Sequence, residues 1–296
     1  MVKRFLAILA VIVAAIAVFL AFQRPSNNRD WTTDQAILPY AEIHGPLVTL
    51  RNIRNFRYTS TDRYTPAYYD KTFDLRQLDS VWFFVEPFGR MGAAHTFVSF
   101  GFGDRDFVAV SIEIRKEKGE SFSPLSGLLR RYELMYVIGD ERDLVKLRTN
   151  YRHDRVYLYP IRTTRERKVA MFLSMIGRAN ALRARPEFYN TLTNTCTTNL
   201  VEHVNTIVPR RIPFRPAVLL PASSDRLAYD LGLIESARSF DETRTAAQIN
   251  DLARRFADDP DFSRKIRANQ SSSPSQNFTR TSLMTTSSSS AGSMYR

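Results

Sequence analysis

With 296 residues, 20 Phe and 13 Tyr, the chain is long enough for one large domain or two small ones and carries the material for a real core. Its formal net charge is +12, and the arginines behind it are spread along the chain rather than blocked. That pattern suits an anionic membrane surface or a solvated face. It argues against nucleic acid, because no zinc-ligand spacing, RRM-type aromatic motif or helix-turn-helix pattern accompanies it. A single cysteine excludes an intrachain disulfide.

Lys3 and Arg4 precede an apolar run from Phe5 to Phe22. At helical rise this run is about 27 Å long, close to the hydrocarbon thickness of a bilayer. Ala21-Phe22-Gln23 is a poor signal-peptidase site, so residues 1–22 read as an uncleaved signal anchor. Lys3 and Arg4 would stay inside, with Gln23 onward outside the cytoplasm. In a Gram-negative bacterium this means a single-pass inner-membrane protein whose soluble part faces the periplasm. Residues 23–36 are polar, carry a proline and read as a tether.

An α+β domain is expected over 37–210. Val48 to Tyr58 begins its sheet, and Thr59 to Lys71 reads as an ordered loop. Val81 to Val85 is a buried strand. Ala93 to Phe100 and Phe107 to Ile114 are strands of a hairpin. Period two puts Ala109, Ser111 and Glu113 on one face and Val108, Val110, Ile112 and Ile114 on the other. A carboxylate inside so apolar a strand needs a partner or water. Ser123 to Tyr132 reads as a short helix and Leu134 to Ile138 as a strand. Asp140 to Asn150 carries a weaker helical pattern, and Val156 to Tyr159 is a further strand. Thr164 to Ala184 is the clearest amphipathic helix, with Val169, Phe172, Leu173, Ile176 and Leu182 on one broad face. Residues 211–268 read as a helical extension, extended over Ile212–Pro221 and helical over Ser224–Ile234 and Thr243–Ala257. From about Asn269 to residue 296 the chain is Ser/Thr-rich and expected to be disordered.

The lone cysteine lies in the segment Asn190 to His203. Asn194, Thr195 and Thr197 are helix N-cap types, and Leu200, Val201, Val204 and Ile207 follow at helical spacing. Cys196 is therefore expected in the first turn of a helix. There the free amides and positive dipole end favour a thiolate, with Thr195 and Thr197 beside any oxyanion. The alternative is that Cys196 is a small buried hydrophobe. A thiol enzyme also needs an imidazole and a polar group orienting it. His44 and His153 sit in turns. His203 lies two turns along the same helix, about 10 Å away. His95 starts a strand whose neighbour offers Glu113 or Ser111; the plain alternative is a hydrogen-bonded strand residue. Gly101-Phe-Gly-Asp is too short for a phosphate loop. Asp258 to Asp261 lacks the glycine and glutamate of a calcium loop. Neither a cofactor nor a metal is expected.

The segments Ala94–Phe100, Val110–Arg115, Tyr132–Tyr136, Val156–Pro160 and Phe188–Thr198 resemble the Lnb N-terminal periplasmic domain family over roughly Val48 to Val208. The best-understood members of that family are bacterial membrane enzymes that convert diacylated lipoproteins to the lyso form. The resemblance implies a thiol mechanism in which His95 and Cys196 work together. It also implies a permuted papain-like (NlpC-like) fold, in which a residue on the strand after the histidine orients it: Glu113 first, Ser111 second. Transacylases of this type carry several further membrane spans, whereas one is evident here. The expectation is an anchored thiol-dependent acyltransferase or hydrolase, acting on an ester or amide of a membrane lipid or lipoprotein. A cell-wall peptidase or amidase on the same Cys–His site, or a non-catalytic envelope binding protein, are the rival readings.

Overall fold

Alternating apolar residues decide where the sheet buries itself. A computed structural model describes residues 1–88, 92–208, 211–213 and 221–270. Its strands are β1 (Tyr40–His44), β2 (Leu47–Arg54), β3 (Arg57–Tyr58), β4 (Tyr64–Thr65), β5 (Tyr68–Asp74), β6 (Leu78–Pro87), β7 (Ala94–Phe102), β8 (Asp106–Arg115), β9 (Glu133–Gly139) and β10 (Tyr157–Pro160). The main sheet runs β1-β2-β9-β8-β7-β6-β10, with β5 paired to β2 and β3 pairing β4 separately. Neighbours are antiparallel except at one parallel contact, Arg54 with Gly139.

Even-numbered residues of β8 (Val108, Val110, Ile112) enter one core together with Val98 and Phe100 of β7. That core is closed by α4 (Arg165–Ala184) and α5 (Cys196–Ile207), through Phe172, Met175, Ile176 and Leu200. Ala109 of β8 and Phe97 of β7 face the other way. They are covered by Leu144 and Val145 of α3 (Glu141–Lys146), and by residues of the C-terminal helices. The result is a mixed α+β architecture, a sheet packed between helices. The remaining helices are α1 (Val2–Phe22), α2 (Pro124–Leu128), α6 (Ser224–Asp230), α7 (Phe240–Ala247), α8 (Asn250–Arg255) and α9 (Phe262–Lys265).

Some expectations change, and Thr59 to Lys71, expected as an ordered loop, carries β4 and the start of β5. Residues 23–36 are docked on the body and do not form a free tether. Arg115 is buried and must fill its rigid fork of donors. Nε bonds the Gln35 carbonyl at 2.9 Å, Nη1 the Asn27 Oδ1 at 2.9 Å and Nη2 the Ala36 carbonyl at 2.8 Å. The Trp31 ring lies under the same guanidinium, 4.2 Å from it. Residues 211–268 are likewise not a separate extension. Ile249, Ala253, Phe262 and Ile266 are fully buried in the second core, and Ile234 and Ala247 enter the first. The segment Ile212–Pro221, expected to be extended, lies largely outside the described residues, as does the Ser/Thr-rich tail beyond residue 270.

α1 spans 21 residues, contains no acidic residue, buries none of its side chains and is long and apolar enough to cross a membrane.

Candidate active site

The helix that carries the cysteine begins as its sequence predicts. Thr195 is the N-cap, with its hydroxyl accepting from the Thr198 amide at 3.2 Å while Thr198 Oγ1 accepts from the Thr195 amide at 2.7 Å. This reciprocal capping box fixes the first turn. It also makes the Thr195 side chain the cap of the helix. Cys196 stands at the first helical position, half-buried. Thr197 follows it, and its buried hydroxyl lies 3.1 Å from Thr96 Oγ1 of β7 and 3.7 Å from the Cys196 sulfur. The amides of Cys196 and Thr197, at the first two positions, have no acceptor one turn back.

β7 supplies His95 from the edge of its pairing. The β7–β8 ladder ends at Phe97↔Ser111, although β7 begins at Ala94 and β8 runs on to Arg115. Past that point the imidazole occupies the gap. His95 Nε2 is 2.7 Å from Ser111 Oγ and 3.3 Å from Glu113 Oε1. Ser111 donates to the same Glu113 oxygen at 2.7 Å. The two candidate orienting residues are thus not alternatives: Ser111 is the nearer, and both engage one ring nitrogen.

Two residues that the sequence did not single out complete the arrangement. Arg148, on a single π-helical turn (Leu147–Tyr151), donates through Nη2 to Glu113 Oε1 at 2.9 Å and through Nε to Glu86 Oε2 at 2.6 Å. Arg148 and Glu86 are almost sealed, with side chains 3% and 2% exposed. The arginine also lies over the Phe97 ring, on which His95 stacks.

These contacts set the charges. Burial alone would lower the His95 pKa; the Glu113 carboxylate outweighs it, aided by hydrogen bonds to Cys196 and Glu113, and His95 is raised to about 10. Burial alone would raise Glu113; the His95 charge and then Arg148 hold it well below the usual carboxylate range. Burial alone would raise the thiol; His95, the Thr96 amide and the Thr197 hydroxyl bring Cys196 from 9.0 down to about 7. Sulfur and imidazole therefore perturb each other, the thiol downward and the imidazole upward.

A family model for the Lnb N-terminal periplasmic domain matches residues 64–222, more than half of the chain. The chain belongs to this family. The match covers β7, β8, the Arg148 turn and the start of α5, and so every residue of the cluster. Searches among curated proteins and solved structures return no match. Membership of a periplasmic domain family and the apolar α1 together fit a single-pass membrane protein with a periplasmic domain.

The other histidines stay out of the cluster. His203 is buried on α5, with Nε2 2.6 Å from Tyr136 Oη and Nδ1 2.8 Å from Ser174 Oγ. Burial, then the nearby Arg178, lowers it to about 4, so it is a neutral packing group. His44 and His153 are exposed. Among the described residues no group of His, Cys, Asp and Glu is placed to hold a metal ion.

An apolar cavity of about 110 Å³ lies along α5 from Thr197 onward. Its floor is a stripe of α5 (Thr197, Leu200, Val201, Val204, Ile207) and its wall is Val98 and Phe83 of the sheet.

Proposed function

We propose that the protein is a thiol-dependent acyltransferase or hydrolase of the bacterial inner membrane, with Cys196 as nucleophile, His95 as its proton partner and Glu113 as the group that orients and charges the histidine. The observation that carries this reading is the His95–Ser111–Glu113–Arg148 hydrogen-bond network beside the first turn of the Cys196 helix, a setting that lowers the thiol and raises the imidazole. The chain order, histidine on a strand and cysteine at a later helix start, supports a permuted papain-like relationship.

The thiolate attacks the carbonyl carbon of an ester or amide; a C–S bond forms and the carbonyl electrons move to oxygen. The first-turn amides of α5 face that oxyanion, each such donor contributing about 3 kcal/mol to the transition state. Collapse breaks the bond to the alcohol or amine, which leaves with the proton of His95. The thioester is then opened by an amine or water, whose proton returns to His95 as the thiolate departs.

The cavity along α5 favours an acyl chain over a peptide. Its exposed surface is mostly apolar although Arg162, Arg167 and Lys168 stand among its lining residues, it reaches Thr197, the residue after the nucleophile, and its α5 stripe extends about 15 Å. A membrane lipid or lipoprotein carries such a chain; a cell-wall peptide does not. The test is to incubate the full chain in nanodiscs with a diacyl lipopeptide bearing a labelled chain and to look for hydroxylamine-sensitive label on Cys196 by intact mass. Label that disappears in Cys196→Ala supports the reading. Turnover unchanged in Cys196→Ala ends it, and cleavage of a peptidoglycan peptide without acyl labelling moves the assignment to a peptidase.

A further inference from the structure

A soluble surface seldom displays large aliphatic side chains in a cluster without a partner for them. Phe122 (47% exposed), Leu125 (64%), Leu128 (37%) and Leu192 (51%) are such side chains. The first three lie on or beside α2, and Leu192 lies in the turn just before the cysteine helix. The two pieces form one surface. Thr191 Oγ1 donates to the Pro124 carbonyl at 2.7 Å, and Gly127 packs so closely on Thr191 and Tyr189 that a Cβ there would sit 2.3 Å from Thr191 Oγ1.

The same surface meets the end of the apolar helix. Arg130, just after α2, donates to the Leu20 carbonyl in the last turn of α1 at 2.8 Å. It does so from a left-handed backbone (φ 56°), a conformation that an arginine seldom adopts. The chain leaving α1 is pinned at once: the Ser26 amide donates to Glu133 at 3.0 Å, and the Asn27 side chain to the Leu182 and Arg183 carbonyls at 3.1 and 2.9 Å. The body therefore cannot swing freely on its anchor, and α2 is held level with the end of the span. Arg24, Arg130, Arg131 and Arg185 are exposed around this end, the charge that anionic headgroups attract.

We infer that the Phe122–Leu128 edge and the Leu192 turn dip into the lipid interface of the membrane that α1 crosses, as a second and fixed contact beside the turn that leads into the Cys196 helix. The inference depends on α1 spanning a membrane and not on any chemistry at Cys196, so either can fail alone.

The test uses the full chain in nanodiscs made with or without brominated acyl chains, reading tryptophan fluorescence against the parent chain. Leu125→Trp and Leu192→Trp place reporters on the patch. Leu47→Trp is the control: Leu47 pairs with Asp74, next to the Arg76 carbonyl that accepts from Arg165, at the end of α4 opposite to the one holding Asn27, about 30 Å away by helical rise. Expected is a blue-shifted emission at Leu125→Trp and Leu192→Trp that brominated lipid largely abolishes, with Leu47→Trp unaffected. Water-like, unquenched emission at both patch positions overturns the inference. So does blue-shifted emission that brominated lipid leaves intact, which would mean a protein partner or a second copy covers the patch.

Discussion

Replacing Glu113 by Gln tests whether a carboxylate on the sheet, rather than the helix terminus alone, ionises the thiol. Glu113 Oε1 stands 3.3 Å from His95 Nε2. At an effective dielectric of about 20, two unit charges at that separation interact by about 5 kcal/mol. Lifting an imidazole from 6.5 to about 10 takes about that much at about 1.4 kcal/mol per pH unit, and the hydrogen bonds to Cys196 and Glu113 must add to it to offset burial. Without the carboxylate, burial leaves His95 neutral near pH 7, and Cys196 loses the main influence holding it near 7. The thiol then returns toward 9.0 or above. At pH 6 the thiolate fraction falls from roughly a tenth to roughly a thousandth, so alkylation by iodoacetamide slows about a hundredfold. Because Cys196 is the single cysteine, every alkylation event reports on it. The measurement is the alkylation rate against pH for the parent and Glu113→Gln. A parent midpoint near 7 that Glu113→Gln leaves in place would refute the reasoning and leave the dipole of α5 as the activating group.

Activity of the parent should rise through pH 7, as the thiol ionises, and fall near pH 10, as His95 loses its proton, in a bell-shaped profile of kcat/KM. Arg148→Met leaves Glu86 buried and without its main partner, which should cost about 3–5 kcal/mol in chemical denaturation, and adding Glu86→Gln should recover part of that loss. Thr195→Ala removes the hydroxyl half of the capping box and should cost about 1 kcal/mol of stability. His203→Gln breaks the Tyr136 and Ser174 contacts and should lower the melting temperature while leaving the alkylation profile of Cys196 unmoved, because His203 touches neither member of the pair.

The parts of the site governed by local rules were legible in the sequence. Cap residues followed by a helical apolar stripe located the Cys196 turn within one residue, and strict alternation in Phe107–Ile114 gave the facing of Ser111 and Glu113. What escaped depends on long-range pairing. Tyr68–Lys71 falls in the Thr59–Lys71 stretch that reads as a loop; it begins β5, whose pattern is hidden because the strand borders the sheet through β2 and buries little besides Phe73. Glu86 lies just past an apolar run that reads as ending at Val85, whereas β6 continues to Pro87 and carries the carboxylate inside. Arg148 sits in a weak helical pattern, and nothing local announces that a π turn will aim its guanidinium between two carboxylates 27 residues apart in sequence. The docking of residues 23–36 was likewise hidden, since it answers the donor demand of Arg115, far along the chain.

The early end of the β7–β8 ladder explains how the pair can form at all. Alternation puts His95, Phe97, Ser111 and Glu113 on the sheet face shared with Arg148, whereas Cys196 arrives on α5, which packs against the opposite face. Across a continuous sheet two such side chains cannot meet. Because pairing stops at Phe97↔Ser111 while both strands run on, the sheet is open where the helix terminus approaches it. Thr96, on the helix side, bonds Thr197 and fixes the depth of that approach, while His95, next along the strand, turns Nε2 to Ser111 and Glu113. The Glu86–Arg148–Glu113 network then stabilises one charge at the sheet end of the gap, and the first-turn amides of α5 favour the opposite charge at the helix end. A thiolate–imidazolium pair is what a gap with that polarity stabilises. Extending the ladder by two more pairs, Thr96 with Ile112 and then His95 with Glu113, would close that opening.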